Sequence, residues 1–117
     1  MTRGACHGFE DAARKALAFR DERDWAQFHN PKDLAISISL EAAELLETFQ
    51  WSGTDLEVAK KREAMVEELA DVAIYCIFLA SELGVDLADA VSAKIDANAV
   101  KYPVDKACGN SMKYTEL

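Results

Sequence analysis

Apolar positions Phe9, Ala13, Ala16 and Leu17 recur at three- and four-residue intervals, and Arg20 continues the series, which predicts a first helix from Phe9 to about Arg23. The pattern breaks at Asp24-Trp25-Ala-Gln-Phe28-His29-Asn30-Pro31. A residue before proline avoids the helical region, so this stretch reads as a loop or broken turn. A second helix is expected from about Lys32 to Phe49, its apolar run diluted by Ser37 and Ser39 and stopped by Gln50-Trp51-Ser52-Gly53. Thr54-Asp-Leu-Glu57 has the form of a capping box with Thr54 as N-cap, which predicts a third helix from there to about Leu83. The first half of that helix is amphipathic. Its stretch Val72–Ala80 is apolar on every side and calls for burial all round. A chain of this length has few helices with which to cover it, so a core shared with a partner subunit is expected. Gly84 ends the third helix, and Asp86 caps a fourth with Asp89 at its third position. That helix carries Ala90, Val91, Ile95 and Val100 and ends at Tyr102-Pro103. Residues 1–8 and 104–117 show little periodicity and are expected to be loose. No strand pattern of any length is present. The reading is an all-α, four-helix bundle-like fold in a single domain over residues 1–117.

Two acidic pairs interrupt the apolar faces: Glu41-Ala-Ala-Glu44 in the second helix and Glu68-Leu-Ala-Asp71 in the third. Residues three apart on a helix project to the same side, roughly 60° from each other. Each pair therefore offers two carboxylates from one face. The neighbours are Ile38, Leu40, Leu45 and Leu46 in one case and Met65, Val66, Leu69 and Val72 in the other. Carboxylates in such company must reach solvent or be compensated, because an unpaired buried charge is costly. There is no Lys or Arg between Asp33 and Gln50, and none between Glu63 and Leu83. A divalent cation is the natural counter-charge, and an all-oxygen donor set suits Mg²⁺, with Mn²⁺ as a substitute. Solvated surface glutamates are the competing reading. Glu47 and Glu67 extend the clusters, and spacing alone does not choose between Glu67 and Glu68 as a ligand.

Of 117 residues, 21 are acidic and 13 basic, for a net charge of −8, which argues against binding to a nucleic-acid polymer. Cys6, Cys76 and Cys108 are odd in number and widely spaced, so neither a zinc knuckle nor a disulfide framework is supported. The N-terminal residues lack a signal-peptide core, and the longest apolar run, Val72–Ala80, is too short to span a bilayer. A cytoplasmic protein without membrane association is expected. Neither His7 nor His29 belongs to a Glu-x-x-His pair, which argues against a di-iron bundle. Trp25, Phe28, His29 and, farther on, Trp51 suit a pocket for a flat ring, with Asn30 able to reach a base edge. The same residues equally suit a hydrophobic plug at a helix end.

The succession Glu41-x-x-Glu44-x-x-Glu47, then Glu68-x-x-Asp71, resembles the signature of the MazG-like all-α nucleoside triphosphate pyrophosphohydrolases, closest to their dCTP pyrophosphatase branch. Arg23-Asp-Trp-Ala-Gln-Phe-His-Asn-Pro31, Glu44-Leu-Leu-Glu-Thr-Phe-Gln-Trp51, Lys94-Ile-Asp-Ala-Asn98 and Lys101-Tyr-Pro103 strengthen the likeness, which covers roughly residues 10 to 103. The resemblance implies Mg²⁺ ligands at Glu41, Glu44, Glu68 and Asp71. It implies phosphate contacts from Lys94, Asn98, Lys101 and Tyr102, and a base and sugar pocket near Trp25, His29 and Trp51. It also implies homodimers or homotetramers in which different subunits complete each site.

The expected reaction is hydrolysis of a nucleoside triphosphate, dCTP or a related dNTP, to a monophosphate and pyrophosphate, as in cleansing of the nucleotide pool. Glu44 and Glu47 are the candidate catalytic residues, with Glu47 orienting water or adding a ligand. The alternatives are a related enzyme acting on phosphoribosyl-ATP or a modified nucleotide, and a non-catalytic, metal-loaded helical interaction module.

Overall fold

The computed structural model describes residues 8–117, and the expectations for residues 1–7, Cys6 and His7 among them, lie outside these. The described residues are all-α, with no strand. The first apolar series becomes helix α1, Phe9–Glu22. Asp24 then takes a left-handed conformation, and Trp25–Phe28 form a short 3-10 helix where a broken turn was expected. Helix α2, Pro31–Glu47, begins one residue earlier than its apolar pattern suggests because Asn30 caps it. The Asn30 side-chain oxygen accepts from the Asp33 backbone N–H at 2.9 Å, and its amide donates to the Asp33 carboxylate at 2.8 Å. Both ends of the Asn30 amide are thereby engaged in the cap, each with one further hydrogen-bonding position left. The last turn of α2 tightens: Thr48, Phe49 and Gln50 donate their N–H groups to carbonyls three residues back.

The third helix departs most from expectation. Helix α3 spans Arg62–Leu83, preceded by a 3-10 turn at Ala59–Lys61, and Thr54 caps nothing. Asp55 instead accepts hydrogen bonds from the Glu57 and Val58 backbone N–H groups, at 3.3 and 3.0 Å. Such a local side-chain turn competes with helix formation. Val58 follows at φ 44°, an unusual conformation for a β-branched residue, held there by burial of its side chain. Gly84, at φ 69°, closes α3 in the left-handed conformation that glycine adopts freely.

The backbone divides into two compact units between Val85 and Asp86. In the first, α2 packs along α3, and α1 against α3. Leu34, Val58, Ile77, Phe78 and Ala80 are its buried apolar residues. The Arg20 guanidinium, 12% exposed, donates to the Ser81 hydroxyl at 2.9 Å and pairs with Asp21, tying α1 to α3. The remainder of Val72–Ala80 is only half-buried within this chain. The largest uncovered apolar side chains of these helices lie elsewhere, at Leu40 and Leu46 on α2 and Leu69 on α3, 61%, 71% and 59% exposed.

In the second unit, Asp86 caps helix α4, Leu87–Lys101, by accepting from the Asp89 N–H at 3.0 Å, as expected. The tail carries a short helix α5, Val104–Ala107, and a 3-10 turn at Tyr114–Glu116. The Tyr114 ring meets the Tyr102 ring edge-on at 6.0 Å, and the Lys101 ammonium lies 4.9 Å from its centroid.

Candidate active site

Glu41 and Glu44 come from the C-terminal half of α2, Glu68 from the second turn of α3. Because α2 runs along α3, one carboxylate oxygen from each of the three lies within 4.8 Å of the others. Glu68, not Glu67, joins this cluster. Glu41 and Glu68 are half-buried, Glu44 exposed. One carboxylate oxygen of Glu41 and one of Glu68 are buried without a hydrogen-bond partner. Asp71 stands outside the triangle but close enough for its charge to raise the Glu41 pKa.

The electrostatics follow from that crowding. The Glu68 carboxyl is pushed up to about 7, first by the neighbouring Glu44 carboxyl with which it can share a proton, then by desolvation and by the charges of Glu44 and Glu41. Glu41 is also raised, mainly by desolvation and then by Glu44. A set of oxygen donors that repel one another, two of them with buried oxygens lacking a partner, fits a hard divalent cation.

Two cavities flank the cluster. The first, about 450 Å³, is walled by Phe19 and Trp25 on one side and Ile74, Tyr75 and Phe78 on the other. Ala12, Lys15 and Ala16 of α1 complete it, and Glu41 and Asp71 stand at its edge. Phe19 and Trp25 meet edge to face, 5.5 Å between centroids, and the Arg23 guanidinium covers the Phe19 ring at 3.7 Å. The second cavity, about 430 Å³, is lined mainly by polar residues: Glu44, Glu47, Thr48, Lys61, Ala64 and Glu68.

Of the aromatic candidates, Trp25 lines the first cavity. His29 stacks on Phe78 at 5.0 Å, with its Nδ1 buried and unpartnered, so it lies against a cavity-wall residue. Trp51 is 92% exposed at φ 66° and stands apart from both cavities. Phe28, 66% exposed, also lines neither. Glu47 lines the polar cavity. Lys94, Asn98 and Lys101 share one face of α4 by their four- and three-residue spacing, with Tyr102 at its end.

Tyr75, Phe19, Lys15 and Lys61 line these cavities without having been singled out from sequence. Tyr75 was within reach, being one turn beyond Asp71 on α3. The two lysines lie outside the cation-free windows around the acidic pairs, so the expected absence of cations near the carboxylates holds along the chain but not in space.

The MazG-like family model matches residues 36–117. The chain is 43% identical to mouse dCTP pyrophosphatase 1 and 45% identical to the human protein of that name, in each case over 92% of this chain and 66% of the relative. It thus spans about two thirds of the length of these relatives. A crystal structure of a pyrophosphatase from Archaeoglobus fulgidus DSM 4304 is similar, with a TM-score of 0.72 and 41% identity over 88% of this chain and 99% of that one. Family model, relatives and fold agree with one another, and the chain belongs to the MazG-like family.

Proposed function

We propose that this protein hydrolyses deoxynucleoside triphosphates, dCTP or a close analogue among the best, to the monophosphate and pyrophosphate. The observation that carries the reading is the carboxylate triangle of Glu41, Glu44 and Glu68, set between an apolar cavity and a polar one. A nucleotide has the same two-ended chemistry, a flat apolar ring and a polyanionic tail. The names of the relatives, dCTP pyrophosphatase 1 and a pyrophosphatase, support the same class of reaction.

In this reading Glu41, Glu44 and Glu68, with Asp71 beside them, hold Mg²⁺, and Mn²⁺ can replace it. The bound ion supplies Lewis-acid stabilisation of the phosphoryl oxygens and lets a polyanion approach acidic side chains. Glu47, at the rim of the polar cavity, orients the attacking water and accepts its proton on a carboxylate oxygen. Trp25, Phe19 and Tyr75 stack on the base, at about 1–3 kcal/mol per stacked ring, and His29 fixes Phe78 behind them. Stacking is indifferent to the base, so preference rests on polar contacts to its edge and on pocket size. Trp51 adds a further ring contact once substrate is bound. Lys94, Asn98, Lys101 and Tyr102 hold the phosphates. The apolar side chains left uncovered on α2 and α3 pack against a second copy of the chain, giving at least a homodimer.

The test is pyrophosphate release with Mg²⁺ from dCTP, dATP, dTTP, dGTP, UTP and modified dNTPs. Pyrophosphate from at least one deoxynucleotide is expected, and Glu41→Gln should abolish it with the helical circular dichroism unchanged. Metal binding without turnover of any nucleotide would replace the enzyme by a metal-loaded interaction module.

A further inference from the structure

Lys61 is the one lysine lining the polar cavity, among Glu44, Glu47 and Glu68. Among the described residues it forms no ion pair, so its ammonium is not committed to those carboxylates. Its place is set by the chain before it. Asp55 holds the turn at Glu57 and Val58, Val58 anchors it by burial, and the Lys61 N–H donates to the Val58 carbonyl at 2.9 Å. Lys60, next in the chain, does not line the cavity. A fixed turn thus delivers one cation into a space of about 430 Å³ whose other charged side chains are carboxylates. That volume is in the range of small-ligand pockets and exceeds what a hydrated ion needs.

We infer that Lys61 is a substrate-binding residue that holds the terminal phosphates of the triphosphate in the polar cavity, and so orients the nucleotide with its base in the apolar one. The assignment rests on the pyrophosphohydrolase reading of the carboxylate cluster. The cation gives the tail a direction: among the charged side chains lining the cavity, Lys61 alone attracts phosphate oxygens. As a compact point charge on a flexible stem, a lysine can follow the pyrophosphate as it leaves.

This role makes two effects of opposite sign. Removing the ammonium deprives the triphosphate of a partner and weakens substrate binding. It also makes the potential at the carboxylates more negative and tightens binding of the free metal ion. A residue that merely supported the turn would weaken both.

The experiment uses the full chain and two readouts: the Mn²⁺ dissociation constant of the nucleotide-free protein by electron paramagnetic resonance, and KM for dCTP at saturating Mg²⁺. Lys61→Met is expected to raise KM roughly tenfold, the scale of one charge-assisted hydrogen bond, while Mn²⁺ binds more tightly. Lys61→Arg should keep both near wild type, and Lys60→Met should change neither. An unchanged KM in Lys61→Met, or weaker binding of both ligands, overturns the role of Lys61 and leaves the enzyme reading intact. A wild-type protein that turned over no triphosphate would remove the enzyme reading, and Lys61 with it.

Discussion

At the scale of single residues, the close setting of the carboxylates governs the site. Glu68, raised to about 7 from an ordinary 4.5, keeps in the folded protein a proton that the unfolded chain has lost. The folded state therefore binds more protons between those values, and metal-free stability falls as pH rises through that window. Glu41 acts in the same direction. Metal binding displaces these protons, so affinity grows with pH up to about 7 and levels off above it. The expected outcome is a Tm gain on adding Mg²⁺ that increases between pH 4.5 and 7 and flattens beyond. A gain independent of pH across that range would contradict the coupling. The ligand candidates were largely legible in the sequence, because Glu-x-x-Glu fixes a shared face on any helix. Spacing alone does not choose Glu68 over Glu67, since that depends on which side of α3 meets α2; the family resemblance is what points to Glu68. Trp51 reads as a ring for stacking; that a left-handed loop holds it in solvent is not legible from residue type.

At the scale of elements, helices α1, α2 and α4 were readable because period and end signals agreed. Asn30 before Pro31 and Asp86 before Leu87 are side-chain caps, and Gly84 closes α3 at positive φ. The start of α3 was misread because Thr54-x-x-Glu57 matches a capping box while Asp55, within it, binds the same stretch of backbone in a different turn. The two arrangements predict different variants. Asp55→Ala should lower stability by about 1 kcal/mol, the typical cost of a lost side-chain cap, and Thr54→Ala should fall within experimental error. Thermal denaturation distinguishes them, and the reverse order would restore the capping box. Loss of Asp55 should also raise KM, because the turn it holds carries Lys61.

At the scale of the whole molecule, the all-α class followed from sequence, but the position of uncovered apolar surface did not. The all-round apolar stretch Val72–Ala80 suggested the interface, whereas Leu40, Leu46 and Leu69 are the more exposed. Hydrophobicity along the chain does not say which face a neighbouring helix covers. A homodimer or larger assembly through these residues is expected, and Leu40→Lys with Leu69→Lys should shift the sedimenting mass toward the 12.9 kDa chain. A wild-type protein already sedimenting at that mass at micromolar concentration would remove the subunit interface. In the proposed reaction this site directs water to the α-phosphorus of a deoxynucleoside triphosphate. Hydrolysis of dCTP in ¹⁸O-labelled water, with the products weighed by mass spectrometry, tests it directly. The expected products are dCMP carrying one ¹⁸O and unlabelled pyrophosphate. Label in the pyrophosphate, or products that are dCDP and orthophosphate, would contradict it.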